Sequence, residues 1–174
     1  MIHDKWFIGD THFFHTNTWE KFKNDDGTPM RPFESTQVMN EHMITMWNSV
    51  VKENDYVYHL GDVTFRYDGA FVALMQRLKG KKRLILGNHD RIKGTKLMDF
   101  FEKVDLWKGF KEHNFTLSHM PLPLTGLRDG KFCVHGHTHQ NILSDPHYIN
   151  VCVETRNYTP VHLDTILAEI KKVK

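Results

Sequence analysis

Cysteine is scarce in this sequence: Cys133 and Cys152 are the only two among 174 residues, and each sits inside an apolar run. That argues against a disulfide framework and predicts buried free thiols in a reducing cytoplasm. No apolar stretch approaches the roughly 18 residues of a membrane-spanning helix. The opening MIHDKWFIGD lacks the basic-then-apolar shape of a signal peptide. The formal charge of +2 is too small to argue for nucleic acid or a membrane surface as partner. Repeats, low-complexity tracts and domain linkers are also missing. The chain therefore reads as a single domain over residues 1–174, cytoplasmic, away from membranes and with no obligate protein partner evident; its oligomeric state is not legible.

Histidine is the abnormal presence, at thirteen residues. Around it run short apolar segments that read as buried strands: Trp6–Ile8, Tyr56–Leu60, Arg83–Leu86, Phe115–Leu117, Phe132–Val134 and Tyr148–Val153. Helical spacing appears at Met39, Met43, Met46, Trp47 and Val50, and again at Phe71, Leu74, Met75 and Leu78, with Gly80 placed to end that helix. A last amphipathic stretch carries Leu163, Ile166, Leu167, Ile170 and Val173. These stripes read as core packing. Early strand–helix alternation followed by a strand-rich half predicts a mixed α/β sandwich with helices outside.

Five of the strand candidates end in a polar cluster: WFI then GDTH, VYHL then GDV, RLIL then GNHD, FTL then SHMP, FCV then HGHTH. Parallel strands present their carboxyl ends on one rim, where ligands bind. If these strands are neighbours and run the same way, the clusters meet. Asp10 and His12 are two residues apart in what reads as extended backbone, so their side chains project to one side. His137 and His139 repeat the spacing. Gly9, Gly61, Gly87 and Gly136 each precede a cluster residue and are expected to supply sharp turns.

The pooled donors are Asp10, His12, Asp62, Asn88, His119, His137 and His139, with His89 and Asp90 beside them. Imidazole and carboxylate suit first-row divalent metals, with manganese the leading expectation and iron, zinc, cobalt or nickel the alternatives. No cysteine joins the set, which argues against a structural zinc knot. Seven donors exceed one ion's needs and fit two ions sharing a carboxylate. Two divalent ions about 3.5–4 Å apart are a recurrent device for displacement at phosphorus, in which a bridging water becomes hydroxide and attacks. Two such ions, less two carboxylates and a hydroxide, leave one positive charge facing a phosphate.

In that order, GDTH, GD, GNHD, a lone histidine and GHTH resemble the five motifs of calcineurin-like metallophosphoesterases, across Trp6 to His139. WN, VYHLGDV and the late INVCVE…NYTP resemble the small single-domain members. The resemblance implies two packed mixed β-sheets flanked by helices, a four-layer αββα sandwich. It implies that Asp10, His12 and His139 hold one metal, that Asn88, His119 and His137 hold the other, and that Asp62 bridges them. His89 would be the catalytic acid, and Asp90 would hydrogen-bond and orient it.

The remaining residues carry weaker expectations. Phe13 and Phe14 read as packing, or as a stacking surface for a nucleobase. Arg31, Arg66 and Arg91 read as surface arginines, or as clamps on a phosphate. His15 is a candidate substrate contact, while His59, His135 and Asn150 are candidate supports of the ligands. The loops Lys23–Phe33 and Pro121–Lys131 are the sizeable insertions able to shape a pocket. The expected activity is metal-dependent hydrolysis of a small phosphorylated or nucleotide substrate, a phosphodiester ahead of a monoester. The alternative from another class is a non-catalytic metal-binding scaffold.

Overall fold

The computed structural model describes residues 3–127 and 131–173. Residues 128–130 of the Pro121–Lys131 loop lie outside the described residues. β1 (Lys5–Ile8) leads through α1 (Asn17–Glu20) and α2 (Thr36–Val50) to β2 (Tyr56–His59), α3 (Gly69–Arg77) and β3 (Lys81–Ile85). Then come β4 (Lys103–Asp105), β5 (Trp107–Phe110), β6 (Phe115–Ser118), β7 (Phe132–His135), β8 (Tyr148–Asn150), β9 (Val161–His162) and α4 (Leu163–Val173).

The strands form two mixed sheets. One has the order β4-β3-β2-β1-β9, with β9 antiparallel to β1 and the rest parallel. The other has the order β5-β6-β7-β8, with β5 antiparallel to β6 and the rest parallel. The period-two alternation of a strand decides what each sheet face buries. Ile8, Val57 and Leu84 enter a core with Met39, Met43 and Trp47 of α2 and with Phe71, Leu74 and Met75 of α3. Their neighbours Phe7, Tyr58 and Ile85 enter a second core with Phe115, Leu117, Phe132 and Val134 of the other sheet. Ile166 and Ile170 of α4 join that second core. The first sheet is therefore buried on both faces, as parallel sheets are.

Local chemistry sets the helix starts. Ser35 caps α2 by accepting the N–H of Val38, and Asp68 caps α3 by accepting that of Ala70, each worth about 1 kcal/mol. Gly80 does not terminate α3, which ends at Arg77. It lies in the turn into β3 at φ +86°, where an added Cβ would come 2.8 Å from Val51 Cγ1. The expected strand Tyr148–Val153 is shorter, because the chain leaves β8 for a 3-10 turn at Val153–Thr155. That exit serves the site. The Gly9 N–H donates to Val151 O at 2.9 Å, joining the rim of one sheet to the other.

The strands that end in polar clusters split three and two: β1, β2 and β3 in the first sheet, β6 and β7 in the second. Within each group they run parallel. Cys133 and Cys152 are buried and free. Among the described residues no helix is long and apolar enough to cross a membrane.

Candidate metal centre

The loops after these strands bring two groups of donors together. Asp10, His12 and His139 offer ligand atoms within 4.8 Å of one another, and so do Asp62, His119 and His137. In the first group, Asp10 Oδ2 is already used. It accepts the His137 backbone N–H at 2.8 Å and the Cys152 thiol at 3.3 Å. Its Oδ1 is buried without a hydrogen-bond partner, as are both ring nitrogens of His12. Burial opposes ionisation of Asp10, yet the neighbouring imidazoles hold its carboxyl well below the usual range. Burial pushes His12 the other way, toward the neutral ring that ligates metal.

His139 is oriented by a residue outside the five motifs, Glu154 of the late INVCVE segment. Its Nδ1 donates to Glu154 Oε1 at 3.0 Å, which leaves Nε2 as the free donor atom. Burial works against a proton on His139, but the Glu154 carboxylate outweighs it and raises the pKa. Burial likewise works against the charge on Glu154, and Arg31 outweighs it.

In the second group, Nδ1 of His119 lies 2.7 Å from Leu60 O. A carbonyl only accepts, so Nδ1 carries the proton and Nε2 presents a lone pair. That lone pair faces Asn88 Oδ1 at 2.8 Å and His137 Nδ1 at 3.2 Å. Donor-poor atoms converging in this way fit a cation, which resolves the mutual repulsion. Asp62 stands between the groups. Its Oδ2 is 3.6 Å from His12 Nε2 and 3.5 Å from His119 Nε2, while its Oδ1 accepts the His89 backbone N–H at 2.8 Å. The donor set therefore fits two divalent cations with Asp62 between them.

The local backbone differs from the expectation. Asp10 and His12 are not extended: β1 ends at Ile8, and φ is 59° at Asp10 and 45° at His12. Asp62, His137 and His139 are also left-handed, at 58°, 67° and 49°. Non-glycine residues hold this conformation where the surroundings over-determine it. Here the Asp10 N–H donates to Gly61 O and the His12 N–H to Asp62 O. Gly87 and Gly136 serve clearance rather than a left-handed turn. A Cβ on Gly87 would lie 2.2 Å from Asp62 Oδ1, and one on Gly136 2.3 Å from Asp10 Oδ2.

Asn88 and His89 are exposed at the mouth of the centre. The His89 ring lies 5.9 Å from that of His12, and its carbonyl accepts the Tyr67 hydroxyl at 3.2 Å. Asp90 does not orient the His89 ring. Its carboxylate is spent on three backbone N–H groups, those of Asp62, Val63 and Gly87, at 2.9–3.0 Å. It braces the loop after β2 against the loop after β3.

Several expected substrate contacts are elsewhere. Arg31 is fully buried beneath the centre. It donates to Glu154 Oε1 through Nε and an Nη, and to the carbonyls of Asp10 and Thr11 at 2.6 and 2.8 Å. No guanidinium group so tied is free to clamp a phosphate. Phe13 is 1 % exposed and belongs to the α2–α3 core, so it offers no stacking face. Phe14 packs toward the groove between α2 and α3, under the Arg66 guanidinium. Arg66 pairs with Asp68 at the surface, on that same groove.

Arg91 and His15 do lie near the centre. Arg91 lines a cavity of about 210 Å³ with Tyr67, Asn88 and His89. His15 lines another of about 270 Å³ with His12, His89 and His139. Burial and nearby imidazoles lower the pKa of His15 to about 4. Phe65, Phe22 and Tyr67 line these cavities, and sequence reasoning missed all three. Phe65 stacks on His15 at 3.8 Å between centroids. Its sequence signal was its place just after GDV. Supports fall where expected in part: His59 Nε2 meets Thr11 Oγ1 at 2.9 Å, and Asn150 donates to His139 O at 2.8 Å. His135 is buried and held by the carbonyl of Gly136 at 2.8 Å.

Comparisons with known proteins give the family and the fold. A family model described as calcineurin-like phosphoesterase matches residues 5–172. An uncharacterised protein of Methanocaldococcus jannaschii is 37 % identical, over 97 % of this chain and 92 % of its own. The gene 66 protein of Mycobacterium phage L5 is 29 % identical over 82 % of this chain and 80 % of its own. A crystal structure of a protein of unknown function from Aquifex aeolicus superposes with a TM-score of 0.74. It is 26 % identical and covers 95 % of this chain and 98 % of its own.

Proposed function

The chain belongs to the calcineurin-like phosphoesterase family, and on that premise we propose that it is a dinuclear-metal-dependent hydrolase of phosphodiesters, nucleotide-type esters among them. The observation that carries this reading is the pair of donor groups on either side of Asp62 Oδ2. Asp10, His12 and His139 would hold one divalent cation, Asn88, His119 and His137 the other, and Asp62 both. When bound, the pair supplies Lewis-acid activation of a water and charge to receive the phosphoryl oxygens.

The chain's own residues do the rest. Glu154 keeps the proton on His139 Nδ1, which leaves Nε2 as the atom that would ligate. Arg31 and the rim hydrogen bonds fix the left-handed backbone that aims Asp10 and His12. Exposed His89 is the group free to protonate the leaving oxygen. Two cavities meet at His89 and Phe65, one on each side. That supports a phosphorus carrying two substituents, and hence a diester over a monoester.

The test is hydrolysis by purified protein loaded with Mn2+, with bis(p-nitrophenyl) phosphate and p-nitrophenyl phosphate offered separately. Turnover of the diester in excess of the monoester, abolished by a chelator, is the expected result. Preference for the monoester makes it a phosphatase. A protein that binds metal and hydrolyses neither ester is a scaffold of the same fold.

A further inference from the structure

The 270 Å³ cleft beside the first donor group is unlike the rest of the centre. Its floor is formed by His12 and His139, whose rings lie 5.1 Å apart. Its walls are Phe22, Phe65, His15 and Thr18, with His89 on the side shared with the neighbouring cavity. No lysine, arginine, aspartate or glutamate lines it among the described residues. Phe22 and Phe65 are 44 % and 42 % exposed, which is high for phenylalanines. Both are braced against one ring: Phe65 stacks on His15 at 15°, and Phe22 meets it edge-on at 82°.

Aromatic faces held rigid at the surface cost apolar exposure, and they return it when a flat ring covers them. The volume lies just below the roughly 300–1,000 Å³ of sites that enclose a drug-sized ligand. It matches one ring system rather than a whole substrate. No lysine or arginine is present there to seat a second phosphate or a carboxylate. Aromatic faces also hold organic cations, but no acidic side chain is present to favour one, and the adjoining centre is positive when loaded.

We infer that the cleft walled by Phe22, Phe65 and His15 is the subsite for the nucleobase of a nucleotide ester whose phosphorus sits at the neighbouring metal centre. This rests on the phosphodiesterase reading above. Phe22 and the open edge of Phe65 would flank the base, since His15 already covers one Phe65 face. The neighbouring cavity at Arg91 and Tyr67 is left for the second substituent.

Three esters with one leaving group test the assignment: thymidine 5′-(p-nitrophenyl phosphate), ethyl p-nitrophenyl phosphate and p-nitrophenyl phosphorylcholine. Wild-type protein loaded with Mn2+ should show a lower KM for the thymidine ester than for the ethyl ester. Phe65→Ala and Phe22→Ala should each erode that ratio, by roughly 5-fold, as expected for loss of one aromatic contact. Phe65→Tyr, which keeps the ring, should restore it. Binding of thymidine 5′-phosphate, followed by calorimetry, should weaken in parallel. Equal losses on the thymidine and ethyl esters would reduce Phe65 to a structural wall and overturn the inference. So would a wild-type enzyme indifferent to the nucleoside, or a Phe65-dependence seen only for the choline ester. Hydrolysis of none of the three in metal-loaded protein would remove the phosphodiesterase reading. Thymidine 5′-phosphate binding that still depends on Phe65 would then retain the base subsite.

Discussion

At the scale of single residues, His89 and Arg31 show how chemistry and support divide. His89 is exposed, and its hydrogen bond to Asp62 is made by its backbone N–H, so His89→Ala should leave metal content unchanged and lower kcat by about 10²–10⁴. Metal analysis beside steady-state kinetics checks both halves; unaltered turnover removes His89 from the mechanism. Arg31 is the opposite case. Its guanidinium is buried against Glu154, and truncation would leave that buried carboxylate with His139 alone. Arg31→Met should cost about 3–5 kcal/mol in denaturant unfolding and loosen the backbone at Asp10; a loss under 1 kcal/mol would show the pair is dispensable. The donors were legible in the sequence because their types and spacings declare coordination chemistry. Arg31 and Glu154 were not, because an arginine in a polar loop looks exposed until a carboxylate 123 positions away is seen to meet it. Phe65 was missed, and Phe13 turned out to be core, for a similar reason. Which loop phenylalanine faces the donor groups depends on left-handed residues that no hydrophobic pattern reveals.

At the scale of elements, the loops after β2 and β3 are held by one carboxylate. Asp90 accepts from Asp62, Val63 and Gly87, and burial raises its pKa above the ordinary value. Asp90→Asn replaces one acceptor oxygen by a donor that faces backbone N–H groups. Stability should fall by about 1–3 kcal/mol, with weaker metal binding by Asp62 and Asn88 together. If Asp90 merely oriented His89, kcat alone would drop and the unfolding curve would not move. The sequence disclosed the elements with strong periodicity: β1, β2, β3, β6 and β7, and the helices α2, α3 and α4. It concealed β4, β5 and β9. β4 and the start of β5 are largely exposed edge pieces, and β9 is two residues long. Strands of that kind carry little apolar signal of their own and exist because a neighbour pairs with them.

At the scale of the whole molecule, the centre joins two sheets. Asp10, His12, Asp62 and Asn88 follow strands of the first sheet, and His119, His137 and His139 follow strands of the second. The idea of a shared rim was legible in the sequence, but its division over two sheets was not, since strand pairing is set by long-range contacts. The interior also limits acid tolerance. Burial pushes His59 down to about 3, below its ordinary 6.5. It stays neutral in the fold and takes a proton when unfolded, so its contribution is intact above pH 6.5 and drains away as pH falls toward 3. The chelated protein should lose stability over that window, by up to about 1.4 kcal/mol per pH unit from this group. His59→Gln should flatten the slope between pH 6 and 4 in denaturant titrations; an unchanged slope means His59 is not held neutral.

The central claim is that Asp62 stands between two cations. Low-temperature electron paramagnetic resonance of the protein loaded with Mn2+ tests it most directly. The account predicts two ions per chain and the spectrum of an exchange-coupled pair. A spectrum of isolated Mn2+ alone, with one ion or fewer per chain at saturation, would contradict it.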